Sequence, residues 1–318
     1  MNKLYKWCLL SCMAATLSSC NDFLTEENPS GLTADTFYKT ESGAEALINS
    51  CYTPLRFWYG QEYATSMTEL GTDIFTRGNG CAEAELSDYN SSLQGSSNAI
   101  TKEWERLYSA LNTCNTALNR LPSSELSASV KDIRMGEAYF LRALYLWHIV
   151  ETCGGVYLTT EECTEPSGYV YRSSEEDFYT QIIADLKEAV AKLPVSTSDY
   201  GRATKGAALA YIARTKLYAA SKLNNPSMDR KKWEDARDAL SAVMGLNIYD
   251  LYYDTQNPEL SYAHYFCERK TKENIYTYLL AANATMHSNL PQGAPWNEKS
   301  YVGCTPTQNL VDAYDMKD

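Results

Sequence analysis

Apolar residues recur every three or four positions along most of this chain, which is the spacing of helices that bury one face. The pattern predicts helices over 33–51, 101–121, 130–151, 174–193, 205–223 and 233–244. The stretch 130–151 is apolar on nearly every side, so we expect that helix to lie between others. The sequence therefore predicts a mainly α protein.

Capping and helix-breaking residues mark where these helices begin and end. Thr33, either Ser173 or Ser174, and Thr204 are N-cap candidates. A side-chain oxygen at an N-cap accepts a backbone N–H of the first turn. The residues that stop helical stretches are Pro54, the pair Gly154-Gly155, and Pro194.

Helical pairs follow one another between residues 101 and 250, which is the organisation of an α-solenoid. Trp104, Tyr179 and Trp233 each open a pair, and an aliphatic residue follows three positions later, as in tetratricopeptide repeats. The intervals between these openings are uneven, so the repeats are degenerate. We predict a degenerate tetratricopeptide-like scaffold in which Trp104 and Trp233 serve packing rather than binding.

Two other parts of the chain lack helical periodicity. Residues 58–100 contain scattered glycines and serines, which predict loops with one short strand near 70–75. The apolar run Val156–Leu158 predicts another strand. Beyond residue 251, tyrosine, asparagine and proline are frequent, which is typical of loop-rich recognition surfaces.

These boundaries divide the chain into four parts. Residues 1–19 form a signal peptide, and residues 20–100 form a tether, a helix and loops. Residues 101–250 form the helical scaffold, and residues 251–318 begin a loop-rich lobe that we expect to bind the ligand.

The first twenty residues carry a targeting signal. Lys3 and Lys6 precede the apolar run Trp7–Leu17, which is too short to cross a bilayer core of about 30 Å. The segment Leu17-Ser18-Ser19-Cys20 resembles the lipobox of bacterial lipoproteins, in which the cysteine receives a diacylglycerol. We therefore predict cleavage after residue 19 and a lipid anchor on Cys20. An ordinary secretory signal is the alternative.

Charge and composition exclude several classes of protein. The 318 residues include 28 Lys and Arg against 40 Asp and Glu, a net charge of −12. Nucleic acid is not an expected partner, because phosphate binding needs clustered cations. Hydrophobic residues make up 44% of the chain, which is enough for a packed core. Tyrosine occurs 25 times against 7 phenylalanines, a bias that suits half-exposed recognition surfaces.

The cysteines give no framework of bridges or metal ligands. Of the 10 cysteines, Cys8 and Cys12 leave with the signal and Cys20 carries the anchor. Seven cysteines remain, and an odd number cannot form a complete set of disulfides. They include no C-x-x-C pair, so the sequence does not indicate a zinc site either. We expect most of them to be buried as small apolar residues. The spacing of Cys153 and Cys163 allows a bridge without establishing one.

Catalytic motifs are scarce. The histidines are His148, His264 and His287, and none has the spacing of a helical metal pair. We expect His148 to be a satisfied core residue. We expect no catalytic residue, metal or cofactor, because no hydrolase elbow, zinc-protease motif or P-loop occurs. A surface glycosidase stays an alternative, since it needs only two carboxylates.

Several blocks together carry a family resemblance. They are Gly136–Tyr145 continuing to Gly154–Leu158, then Tyr179–Pro194, Gly201–Ala208, and Pro306–Asp312 continuing to Met316–Asp318. An acidic tether, Asn21–Leu24 with Pro29, follows Cys20. In this order, and over nearly the whole chain, they resemble the SusD/RagB family of outer-membrane lipoproteins from Bacteroidetes-type bacteria.

The resemblance implies a tetratricopeptide-like scaffold with an irregular binding lobe and no catalysis. Such proteins capture oligosaccharides at the cell surface and deliver them to a SusC-like TonB-dependent transporter. The RagB branch implies capture of peptides or glycopeptides as the alternative, and a purely structural scaffold is a further one. Family members continue beyond the Met-Lys-Asp segment at which this chain stops, so we expect part of the lobe to be absent.

Two aromatic regions supply candidate ligand-binding residues. In the first, Trp58 and Tyr59 follow Phe57 as a loop platform. Asp73, Arg77 and Asn79 lie in the glycine-rich loop beyond it, and Trp296 and Tyr301 belong to the second region. Aromatic faces stack on the C–H faces of sugars while polar side chains bond the hydroxyls. Packing or surface placement is the alternative for each residue.

Overall fold

The computed structural model describes residues 33–59, 68–78, 81, 84–165, 168–268, 270–279 and 304–314. Its helices are α1 (Ala34–Phe37), α2 (Glu41–Tyr52), α3 (Leu55–Tyr59), α4 (Glu85–Asp88), α5 (Asn98–Arg120), α6 (Ala128–Cys153), α7 (Glu175–Lys192), α8 (Lys205–Ala220), α9 (Arg230–Met244), α10 (Ser261–Tyr265) and α11 (Gln308–Asp312). Its strands are β1 (Phe75–Arg77) and β2 (Cys304–Pro306). The prediction of a mainly α protein is confirmed. None of the described helices combines the length and the apolarity that a bilayer crossing needs.

Helices α5 to α9 stack in chain order, each packing on the next. Helix α2 packs on α5 and α6 at one side of the stack. Helix α6 is buried on nearly every side, as its sequence predicts, and Phe140 and Leu141 are fully enclosed. The Tyr145 hydroxyl donates to the Cys51 carbonyl at 2.7 Å, which ties α6 to α2. The scaffold is therefore a solenoid with α6 at its centre.

A buried ion pair fastens three of these helices together. The Arg142 guanidinium on α6 binds both carboxylate oxygens of Asp185 on α7 at 2.7 Å. It also donates to the Asn115 side chain on α5 at 3.2 Å and to the Thr160 carbonyl at 3.1 Å. Each charge is satisfied by these bonds, which burial requires.

Local capping sets several helix starts. Ser174, rather than Ser173, caps α7 by accepting from the Asp177 N–H, and the Asp177 carboxylate accepts from the Ser174 N–H in return. Thr204 caps α8 as predicted. The stretch predicted from Thr33 is two helices, because Thr40 accepts from the Gly43 N–H at 3.0 Å and starts α2 anew.

Three helix bounds differ by three residues from the sequence pattern. Helix α5 begins at Asn98 rather than at 101, and α9 begins at Arg230, where Asp229 is the cap. Helix α8 ends at Ala220 rather than at 223, because Ser221 has an extended backbone. The tryptophans assigned to packing are only partly covered, with Trp104 39% and Trp233 40% exposed.

The strand predictions need correction. The strand expected near 70–75 lies at Phe75–Arg77, where it pairs antiparallel with Cys304–Pro306. Val156–Leu158 is not a strand. The Val156 carbonyl accepts one backbone hydrogen bond, from the Ser173 N–H at 2.7 Å, and a single bond of this kind does not make a sheet.

The cysteine expectations are only partly met. Cys153 and Cys163 are free thiols rather than a bridge. Cys51 and Cys114 are buried, but Cys163 is exposed, as is Cys267. The expectation that most cysteines are buried is therefore wrong for the six whose side chains the structure describes.

Candidate ligand-binding cleft

The first predicted platform lies inside the fold. Phe57 and Trp58 belong to α3 rather than to a loop, and Trp58 is only 7% exposed. The indole of Trp58 stacks on the His148 ring, with 4.2 Å between centroids. The prediction of a loop platform is wrong for Phe57 and Trp58, because they lie in a helix and pack in the core, as their alternative assignment had it.

The polar candidates lie at the small sheet. Arg77 forms an ion pair with Asp88 at 2.6 Å, and the Asp73 carbonyl accepts from the Thr307 hydroxyl. Both Asp73 and Arg77 are exposed. In the part of the chain that the structure describes, no hydrogen bond or ring contact joins them to Trp58. The side chain of Tyr59, together with Cys20, Asn79, Trp296 and Tyr301, lies outside the described residues.

Beside α8, the structure forms a cavity of about 630 Å³ that sequence analysis did not assign. We call it the tyrosine cleft and define it by Tyr211 and Arg214 of α8, Tyr265 of α10, and the segment 273–278. Ala207 and Ala210 of α8 also line the cavity, and their small side chains leave room in it. Four tyrosine side chains therefore line this open cavity.

Packing fixes two of these rings. Tyr211 and Tyr276 both meet the buried Phe140 ring edge-on, at centroid distances of 5.5 and 5.1 Å. The Tyr276 hydroxyl is buried without a hydrogen-bond partner among the described residues. Burial raises the pKa of this hydroxyl, so it stays a neutral donor.

Arg214 forms the charged side of the tyrosine cleft. Its guanidinium lies 4.2 Å over the Trp147 ring and 5.8 Å from both Tyr211 and Tyr218. Trp147 in turn meets His148 edge-on at 5.2 Å. Burial, helped by the charge of Arg214, lowers the pKa of His148 to about 3, so the imidazole is neutral. Stacked rings thus support Arg214 from behind, and Trp58 lies at the far end of that stack.

A second cavity of about 420 Å³ adjoins the first across the segment 273–278. We call it the lysine cleft and define it by Tyr200, Arg202, Tyr249, Lys270 and Lys272. The Tyr200 hydroxyl lies 3.1 Å from the Thr277 hydroxyl, which attaches the segment to the loop before α8. Asn274 and Tyr276 border both cavities.

The tyrosine cleft suits binding better than chemistry. Its lining includes one carboxylate, that of Glu273, and this group already accepts from the Tyr252 N–H at 2.9 Å. Glycoside cleavage needs two carboxylates flanking the bond. In the described ranges, no group of three or more histidines, cysteines and carboxylates has the arrangement of a metal site.

Another cavity, of about 340 Å³, lies where α7, α8 and α9 meet. Its lining contains one aromatic ring, that of Tyr179, whose hydroxyl is already bonded to Glu151 at 2.7 Å. It therefore offers a ligand less aromatic surface than the tyrosine cleft does.

Sequence reasoning missed Tyr211 and Arg214 because helical spacing was interpreted as packing. A usable signal existed. Tyr211, Arg214 and Tyr218 recur at positions i, i+3 and i+7 of α8, which also contains six alanines. Large side chains with polar ends on one face of an alanine-rich helix indicate a surface for contact with a ligand or with another segment of the chain.

Comparison with known proteins gives consistent matches. The family model SusD-like_3, described as "Starch-binding associating with outer membrane", matches residues 22–217. A curated SusD-like protein from Formosa agariphila is 27% identical over 209 residues, 64% of this chain and 41% of that protein. Another, from Bacteroides ovatus, is 26% identical and is covered over 46% of its length, against 78% of this chain. The chain thus spans about half the length of these curated relatives.

Solved structures agree on the fold. A SusD superfamily protein from Parabacteroides distasonis aligns with a TM-score of 0.71 at 23% identity, over 87% of this chain and 60% of that one. A laminarin-binding SusD-like protein aligns with a TM-score of 0.57 at 28% identity, over 65% of this chain and 44% of that one. Such neighbours have tetratricopeptide-like helical folds, which confirms the scaffold prediction.

Proposed function

Because the chain belongs to the SusD-like family of carbohydrate-binding proteins, we propose that it captures an oligosaccharide in the tyrosine cleft without cleaving it. The observation that carries this proposal is the convergence of Tyr211, Tyr265, Tyr276 and Tyr278 on one cavity. Tyrosine rings stack on the C–H faces of sugars and keep a hydroxyl for bonding. Asn274 and Thr277, whose side chains are hydrogen bonded to each other at 3.2 Å, add polar groups to the lining.

Delivery to a SusC-like TonB-dependent transporter is the second part of the proposal. It rests on the family and on the lipid anchor predicted at Cys20, which would hold the protein at the outer membrane. Affinity purification from solubilised outer membranes tests this part, with the transporter expected in the eluate. Its absence there would contradict delivery and leave capture standing.

Calorimetric titration of the full chain with a panel of oligosaccharides tests the proposed capture. We expect saturable binding to at least one glycan, with no new reducing ends after long incubation. Replacing one stacking ring, as in Tyr211→Ala or Tyr265→Ala, should weaken binding about fivefold, because a ring contact contributes roughly 1 kcal/mol.

Tyr169→Ala is the matched control, since Tyr169 is 96% exposed and does not line the cleft. An equal loss in Tyr169→Ala and Tyr211→Ala would rule out the tyrosine cleft as the site. Competition by peptides but not by sugars would favour the peptide alternative, and product formation would favour a glycosidase.

A further inference from the structure

Taken together, the linings of the tyrosine and lysine clefts carry a net positive charge in a negatively charged protein. The chain has 28 Lys and Arg against 40 Asp and Glu. The two linings reverse that ratio, with Arg202, Arg214, Lys270 and Lys272 against Glu273 alone. A positively charged lining in an acidic protein indicates a preference for anionic ligands, because clefts concentrate the electric field of the charges that line them.

Two of these five charges are already occupied by the protein. Arg202 donates to Glu137 at 2.9 Å and to Asp199 at 3.0 Å. Glu273 accepts from a backbone N–H, as described above. Within the described ranges, no carboxylate lies at ion-pair distance from Arg214, Lys270 or Lys272. Three cations are therefore open to a ligand.

The position of Arg214 exposes its hydrogen-bond donors. Its planar guanidinium covers the Trp147 ring with one face, and the residue as a whole is exposed. Glu151, which influences Arg214 electrostatically, is instead hydrogen bonded to Tyr179. A stacked guanidinium keeps its N–H edge free, and that edge matches the two oxygens of a carboxylate or sulfate.

The lysines lie on the other side of the segment 273–278. The Lys270 ammonium is 4.7 Å from the centre of the Tyr200 ring, and Lys272 is exposed. Lysine side chains are flexible point charges and adapt to anions at various positions. An extended ligand with several anionic groups could therefore bind Arg214, whose position is fixed, and the flexible side chains of Lys270 and Lys272.

We propose that the captured ligand is an anionic oligosaccharide, with carboxylate or sulfate groups on its sugars. This inference rests on the proposed function, because it names the chemistry of the glycan that the same site takes. Stacking on the tyrosines holds the rings, and Arg214, Lys270 and Lys272 bind the anionic groups.

Paired probes that differ only in charge test this proposal. They are hexagalacturonate with its fully methyl-esterified form, and a sulfated galactan oligosaccharide with its desulfated form. We expect at least one charged form to bind about tenfold more tightly than its neutral partner, which is the effect of one charge-assisted contact. Raising NaCl from about 50 to about 500 mM should weaken that binding, since salt screens charge.

Variants test whether the cations of the two clefts bind the ligand, or whether any positive charge on the protein has the same effect. Arg214→Gln and the double variant Lys270→Ala/Lys272→Ala should each weaken binding of the charged probe about tenfold. Lys187→Ala, an exposed lysine on α7 outside both clefts, removes the same charge and should leave binding unchanged. Circular dichroism confirms that each variant is folded.

The outcomes distinguish the two proposals. Equal or tighter binding of neutral glycans would overturn the anionic preference and leave oligosaccharide capture intact. Failure of folded protein to bind any charged or neutral glycan, maltohexaose and laminarihexaose included, would overturn both. The response of the uronate and sulfate pairs identifies which anionic group is recognised.

Discussion

Arg142 and Asp185 show how much a single buried charge depends on its partner. The two side chains are only 7% and 2% exposed, and the Arg142 guanidinium donates to Asp185, to Asn115 and to the Thr160 carbonyl. Removing one partner of such a pair leaves the other charge in a poorly polarisable interior.

Asp185→Ala should therefore lower the free energy of unfolding by about 3–5 kcal/mol. Urea denaturation monitored by circular dichroism measures this. Asp235→Ala, which removes the carboxylate of the exposed Lys231–Asp235 pair, is the control and should change stability little. Similar losses in the two variants would contradict the role assigned to the buried pair.

Among the described residues, the carboxyl group of Glu103 is buried without hydrogen bonds that would offset its loss of hydration. It is 1% exposed, and neither carboxylate oxygen has a hydrogen-bond partner among the residues that the structure describes. Burial raises the pKa of this carboxyl from 4.5 to about 8, and the charge of Arg106 opposes the shift only in part. At neutral pH the folded protein thus holds a proton that the unfolded chain releases.

The free energy of unfolding should consequently fall as pH rises from about 4.5 to about 8, because the folded state binds more protons in that window. One proton corresponds to a slope of at most about 1.4 kcal/mol per pH unit. Glu103→Gln should reduce this slope, as judged by urea unfolding at pH 5.5, 7.0 and 8.5.

The pH profile of Glu103→Gln must be compared with that of the wild-type protein, because another group also makes stability depend on pH. The depressed pKa of His148 acts in the opposite direction, and the stability that it contributes is lost as pH falls from 6.5 to about 3. Parallel pH profiles for the wild-type protein and Glu103→Gln would contradict the assignment.

Among the helices, α7 has the most complete N-terminal cap. Ser174 and Asp177 satisfy each other's backbone N–H groups, and three acidic residues occupy the first turn. Acidic side chains there interact favourably with the positive end of the helix dipole.

Ser174→Ala should cost about 1 kcal/mol of stability, the usual effect of losing a serine cap. Ser173→Ala is a closely matched control, because only the backbone N–H of Ser173 takes part in the bond to Val156. Thermal unfolding of both variants gives the comparison. A larger loss for Ser173→Ala would show that the cap is misassigned.

The helices were predictable because their signals are local. Caps such as Thr204 and breakers such as Pro194 act within one turn of the helix that they bound. The strands were not, since β1 depends on residues more than two hundred positions away. Val156–Leu158 has the right composition for a strand but pairs with no other strand among the residues that the structure describes.

For the molecule as a whole, the family and the scaffold were predictable and the cleft was not. The sequence blocks around Gly136–Tyr145 led to the correct family. The tyrosine cleft is formed by α8 and a segment some sixty residues later, and no spacing rule connects Tyr211 with Tyr276. Trp58 was a reasonable aromatic candidate, yet its contribution here is to support the rings beneath Arg214.

The pairing of Phe75 with Pro306 has a consequence for the timing of folding. At about 5–20 residues per second, translation takes about 10–50 s to pass from one strand to the other. Helical neighbours such as α5 and α6 meet through short loops and close in well under a second. During synthesis, β1 therefore has no partner strand for some time after the helices of the solenoid have been translated, and its unpaired backbone groups can bond to other chains.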